Sequence, residues 1–129
     1  MKKKKIADII IDPETSILVA IKRMDDLERK LFLVMEKEKF VGLVSIGDIQ
    51  RSLIKSQDFS VPVGKILREN ITVAKSHQSE ADIKKMMLLH RTEFMPVLDK
   101  EDRLVDVLFW DELFEEERQI EKELSLIHI

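Results

Sequence analysis

The sequence predicts a mixed α/β fold of two β-α-β-β-α repeats, packed sheet to sheet about a pseudo-twofold axis. Three observations carry that expectation. Ser16 precedes an apolar stripe of helical period at Ile17, Ala20, Ile21, Met24 and Leu27; Ser79 stands sixty-three positions later, followed by Ile83, Met86 and Met87, and the same offset pairs Met24 with Met87 and Val34 with Val97. Each stripe is followed by two short apolar runs split by a charged turn, the pattern of a β-hairpin. Each hairpin then runs straight into a helix, through Gly-Leu-Val-Ser-Ile-Gly-Asp at 42–48 and Asp-Val-Leu-Phe-Trp-Asp-Glu at 106–112. Two copies are too few to stack as a solenoid, so pairing around a pseudo-twofold axis is the economical arrangement.

The elements follow in chain order. A short apolar segment, Ile6-Ala-Asp-Ile-Ile10, precedes the first stripe, and Val63-Gly-Lys-Ile-Leu67 precedes the second. Beyond it the second copy has six further residues that include Ile71, Thr72 and Val73, predicted to form a short strand that the first copy lacks or shortens. Ser16 caps the first helix, and Ser79 with Asp82 forms a Ser-x-x-Asp capping box on its counterpart, supplying partners for free first-turn donors. Strands are expected at 31–35 and 40–44, and again at 94–98 and 104–108, joined by charged turns at 36–39 and 99–103. Their apolar runs are nearly continuous, which predicts burial on both faces. One extra residue in the second turn shifts the offset to sixty-four, pairing Ile46 with Trp110 and Ile49 with Leu113. A helix over 46–55 presents Ile46, Ile49, Leu53 and Ile54 as its apolar face, and a second helix spans 111–123. The copies are assigned to 1–57 and 58–118, with a linker at 56–62 and a helix end and tail at 119–129.

Composition excludes several classes of protein. Apolar residues are 44% and charged residues 36% of the 129 positions, too apolar for a disordered chain, and no run approaches the ~20 apolar residues that span a bilayer. The four lysines at 2–5 have no apolar stretch behind them, so the start does not read as a secretory signal. The absence of cysteine rules out disulfides and thiolate metal sites and fits a cytoplasmic location. A net charge of −3 argues against a general nucleic-acid binder. The block at 111–123, with seven acids and two bases, reads as a solvated helix face.

The chemistry concentrates at one strand-to-helix junction. Ser45 and Asp48 form a Ser-x-x-Asp box, which as a helix cap needs no ligand. The same helix start also offers amide donors and a partial positive charge to a phosphate, a carboxylate accepts two vicinal ribose hydroxyls, and Gly47 lets a ligand approach the backbone. The second copy departs twice: Phe109 stands where the hydroxyl should be, and Glu112 lengthens the carboxylate. Its cleft is expected to be filled by its own side chains. The chain has three glycines and three histidines, with no glycine-rich phosphate loop, no metal-ligand spacing and no catalytic constellation.

With these residues in view, the stretch from about Ile6 to Phe114 resembles the cystathionine-β-synthase (CBS) domain pair, or Bateman module. Gly42-Leu-Val-Ser-Ile-Gly-Asp48 and Phe94-Met-Pro-Val-Leu-Asp99 carry the resemblance through their order, spacing and duplication. It implies a non-catalytic regulatory module that binds AMP, ATP or S-adenosylmethionine. Ser45, Ile46, Gly47 and Asp48 would take ribose and phosphate, and Ile71, Thr72, Val73, Met95 and Pro96 would face the base. Arg51, one turn beyond Asp48, and Arg91 are candidates to reach phosphate, with an ordinary surface arginine as the alternative for each. More narrowly, Lys-Ile-Ala-Asp-Ile-Ile-Ile and Gly-Asp-Ile-Gln-Arg-Ser-Leu are similar to CBS pairs that precede bacterial sugar-nucleotidyltransferase domains. That implies a nucleotidyltransferase as attached or separate partner; a homodimer is the expected assembly, on no motif of its own. The alternative is a structural or dimerisation module that binds no nucleotide. Residues 124–129 can be encoded by CTG TCT CTT ATA CAC ATC, a transposon end used in sequencing libraries, and are expected to be adapter sequence after which the natural gene continues; the rival reading is a native apolar tail that docks on a partner.

Overall fold

The structure, a computed structural model, describes residues 6–68 and 71–113. It divides into two compact units between Ile71 and Thr72. In the first unit residues 6–8 are helical and lead into β1 (Ile10–Ile11), α1 (Ile17–Leu27), β2 (Leu31–Glu36), β3 (Lys39–Ser45) and α2 (Ile46–Ser56). A 3-10 turn (Val63–Lys65) follows. The second unit runs β4 (Ala74–Lys75), α3 (Glu80–His90), β5 (Phe94–Leu98), β6 (Leu104–Phe109) and α4 (Trp110–Leu113). Each unit holds a three-stranded sheet, ordered β1-β2-β3 and β4-β5-β6, with the first pair parallel and the second antiparallel. Of the predicted helix at 111–123 the described residues cover 111–113, which are helical; the remainder and the tail 119–129 lie outside the described residues.

The repeat extends to backbone detail. Ile11 pairs with Val34 as Ala74 pairs with Val97, and the antiparallel register slips between Val34 and Met35 as it does between Val97 and Leu98. Ser16 Oγ accepts from Val19 N at 3.2 Å and Ser79 Oγ from Asp82 N at 3.1 Å, the hydroxyl half of the predicted box. Both helices end on a left-handed residue, Glu28 (φ 54°) and Arg91 (φ 52°), the conformation that terminates a helix. Equivalent turn geometry arises from unlike residues, so the backbone path is set by the pattern rather than by particular side chains.

Three expectations change. The extra strand is Ala74–Lys75 rather than 71–73, and the first copy has the same strand at Ile10–Ile11. Such a strand exists only by pairing with the distant central strand, and two residues carry no period of their own. The central strands are buried along their length, but β6 alternates, with Val105 52% exposed, because it lies at a sheet edge. On α2, Ile49 is fully buried whereas Ile54 is 79% exposed, so Ile54 is not part of the apolar face.

Residues 59–68, placed with the second copy by sequence, fold against the first unit. Ile17 N and Leu18 N donate to the carbonyls of Val61 (2.9 Å) and Phe59 (3.1 Å), and Val63 N and Gly64 N donate to Thr15 (2.8 Å) and Pro13 (2.9 Å). Arg68 N donates to Leu43 O at 2.7 Å, and Val63 is fully buried. A Cβ on Gly64 would meet Pro13 Cβ at 2.9 Å and the Pro13 carbonyl oxygen at 3.0 Å. Backbone on that side cannot yield cheaply, so Gly64→Ala should lower unfolding free energy by roughly 1–3 kcal/mol in a urea titration. An unchanged midpoint would show that this segment is not held against Pro13.

Candidate functional site

Strand β3 ends at Ser45, opposite Leu31, and the next amide, Ile46 N, donates to Lys30 O at 2.9 Å. That bond turns the chain from strand to helix at a defined point. Ser45 keeps extended backbone angles (φ −109°, ψ 166°), as an N-cap requires. Its hydroxyl accepts from Asp48 N at 3.2 Å and donates to Asp48 Oδ2 at 2.8 Å, while Ser45 N donates to the same oxygen at 2.7 Å. The capping box is complete. Arg51, one turn on, donates from Nη2 to Asp48 Oδ1 at 2.5 Å, and Arg68 Nε stands 3.8 Å from Oδ2.

Ser45 and Asp48 are the buried polar residues among those described, and the Asp48 side chain is 7% exposed. A carboxylate withdrawn that far from water is tolerated only with hydrogen bonds and opposite charge around it. Two donors from Ser45 and two guanidinium groups meet that demand. As a structural cap the arrangement is self-sufficient.

Beside the box opens a cleft of about 740 Å³ in the first unit. Asp48, Arg51, Ser52, Lys55 and Ser56 line it from α2, and Val61, Lys65, Ile66, Leu67 and Arg68 line it from the returning segment. Four bases against one acid make it strongly positive in a chain whose net charge is −3. Positive side chains converging on a concave surface beside a helix start suit a multiply charged anion.

Of the residues singled out from sequence, Ser45, Ile46, Gly47, Asp48 and Arg51 come together here. Gly47 has Arg51 above it: a Cβ there would lie 3.5 Å from Nη1. Ile71, Thr72 and Val73 are half-buried and outside regular strand. Met95 is fully buried in the cluster of Ala74, Ile83, Met87 and Val97 under α3, so its side chain is core. Pro96, its neighbour on β5, points to the opposite face of the sheet. Arg91 is the left-handed cap of α3. In the second copy Phe109 is 1% exposed and meets Phe94 edge to face at 6.0 Å, so the position that holds a hydroxyl in the first copy is packing in the second.

Sequence reading missed Ser52, Lys55, Lys65 and Arg68. The first two were within its reach, since 48, 51, 52 and 55 fall on one helix face. The other two come from a segment whose pairing with the first unit has no local signature.

Residues 4–55 match the CBS domain family. Three solved structures are similar to most of the chain. CBSX2 in complex with AMP is 20% identical over 87% of this chain and 88% of that one, with a TM-score of 0.68. CbpB in complex with c-di-AMP is 13% identical over 90% and 80%, with a TM-score of 0.75. A CBS domain pair/ACT domain protein from Thermotoga maritima is 17% identical over 86% and 88%, with a TM-score of 0.68. No curated protein matches the chain. The fold is that of a CBS domain pair. Among the described residues no group of three or more His, Cys, Asp or Glu is placed to hold a metal ion, and no helix is long and apolar enough to cross a membrane.

The box makes a stability prediction that needs no ligand. Ser45→Ala removes a cap and a donor to the buried carboxylate and should cost roughly 1–3 kcal/mol, whereas Ser79→Ala, at an exposed cap, should cost about 0.5–1 kcal/mol. Chemical denaturation of the two variants measures the difference; equal losses would mean that Asp48 gains nothing from Ser45.

Proposed function

We propose that the chain is a regulatory module whose first copy binds an adenine nucleotide, with ribose at Asp48 and phosphate over the basic cleft. The observation that carries this reading is the buried Ser45–Asp48 box opening directly onto a cleft lined by Arg51, Lys55, Lys65 and Arg68. Proteins of the same fold support it, one solved with AMP and one with c-di-AMP. The charge of the cleft favours AMP or ATP over S-adenosylmethionine, whose sulfonium is itself cationic. Base contacts rest on the family resemblance alone. No residue of the site is assigned a chemical step; a bound nucleotide acts by favouring one conformation over another, and an attached domain feels it only through differential affinity. A sugar-nucleotidyltransferase as the regulated partner extends the proposal on the resemblance of residues 5–11 and 47–53, and a homodimer is the assembly proposed with it.

One observation favours the structural alternative: both Asp48 oxygens already have partners within the chain. Isothermal titration with AMP, ATP and S-adenosylmethionine separates the two. The nucleotide reading expects heat with AMP or ATP, loss of that heat in Asp48→Ala and its retention in Glu112→Ala. Absence of heat and of any thermal shift at millimolar nucleotide would leave the box as a cap only. Because Asp48→Ala also removes half of the box, its folding is checked in parallel.

A further inference from the structure

We infer that Arg51 gates Asp48, closing the site to a bare nucleoside and yielding it to a ligand that carries phosphate. The inference rests on the nucleotide reading above and assigns a selectivity to that site.

The two oxygens of Asp48 are used differently. Oδ2 faces inward, held by Ser45 N, by Ser45 Oγ and, at longer range, by Arg68. Oδ1 is engaged by Arg51 Nη2 at 2.5 Å. The same guanidinium covers Gly47, with its two terminal nitrogens 3.5 and 3.9 Å from where a Cβ would stand. Arg51 thus occupies both features expected to admit a ribose, the outward carboxylate oxygen and the bare glycine backbone. Its side chain is 68% exposed, so it can swing away without disturbing the core. The α2 stem keeps it on the rim of the cleft that Lys55, Lys65 and Arg68 also line.

Displacing Arg51 exchanges an ion-paired hydrogen bond, charged on both sides, for hydroxyl bonds to Asp48 whose donor carries no charge. A nucleoside offers the freed guanidinium nothing in return. A nucleotide offers it phosphate, which an arginine fork can meet with two parallel bonds. The contact that blocks ribose in the empty site therefore becomes a contact that holds phosphate in the filled one.

Removing Arg51 should then move two affinities in opposite directions. In ¹⁵N-HSQC titrations of the full 129-residue chain, read at the amides of Gly47 and Asp48, Arg51→Met should bind adenosine roughly three- to tenfold more tightly than wild type. It should bind ATP roughly tenfold more weakly. Lys55→Met lines the same cleft and makes no bond to Asp48 in the structure; it should weaken ATP and leave adenosine unchanged. If Arg51→Met behaves as Lys55→Met does, Arg51 is one more cleft cation and the gate is overturned while the nucleotide site stands. If wild type shifts with neither adenosine nor ATP, the nucleotide reading fails and the gate falls with it.

Discussion

The Asp48 carboxylate has to be compensated within hydrogen-bond reach, because its surroundings exclude most of the water that would otherwise solvate it. Its principal partner is the residue that ends β3, and this proximity ties several features together. Ser45 can reach Oδ2 with both amide and hydroxyl only if the chain turns from strand to helix at that position. The turn is fixed from the other side by Ile46 N on Lys30 O. With the start of α2 so placed, Ile49 is buried and Arg51, Ser52 and Lys55 are directed to the cleft. One compensated charge thus sets both the packing of the helix and the polarity of the surface beside it.

A second constraint completes the cleft. The segment at 59–68 lies along the first unit through backbone hydrogen bonds to Pro13, Thr15, Ile17, Leu18 and Leu43. Close approach is possible because two glycines leave room: Gly64 beside Pro13, and Gly42 beside Leu67, whose Cδ1 lies 3.1 Å from a Cβ position there. Backbone bonds satisfy the donors of an irregular segment that would otherwise be costly to cover. They also carry Lys65 and Arg68 into the lining of the cleft, so half of its four bases come from outside α2.

This division explains what was legible in the sequence. The helices at 17–27 and 80–90 and the two hairpins were visible because their periods are long and their caps local, as at Ser16 and Ser79. Ser45, Gly47, Asp48 and Arg51 were visible for the same reason, lying within seven residues of one another. The edge strands Ile10–Ile11 and Ala74–Lys75 were misread, since two residues become a strand only through a partner more than twenty positions away. Lys65 and Arg68 were missed because nothing near Val63 announces where that segment docks. Met95 was assigned to a binding wall from its motif, whereas strand alternation with Val97 places it in the core under α3.

The two copies show how far a shared backbone constrains chemistry. Ile46 N donates to Lys30 O at 2.9 Å, and Trp110 N donates to Glu93 O at 3.0 Å, so the same main-chain bond makes the strand-to-helix turn in each. The side chain just before that bond is free to differ. In the first copy it is a serine whose hydroxyl serves a buried carboxylate; in the second it is a phenylalanine whose ring is spent on Phe94. An apolar ring in that position gains stability from burial and aromatic packing without any need for a partner charge. Serine gains far less from burial and is justified by what it holds. The unequal chemistry of the copies therefore resides in side chains, Ser45 and Asp48 in one junction against Phe109 and Glu112 in the other, and the backbone that repeats around them tolerates either.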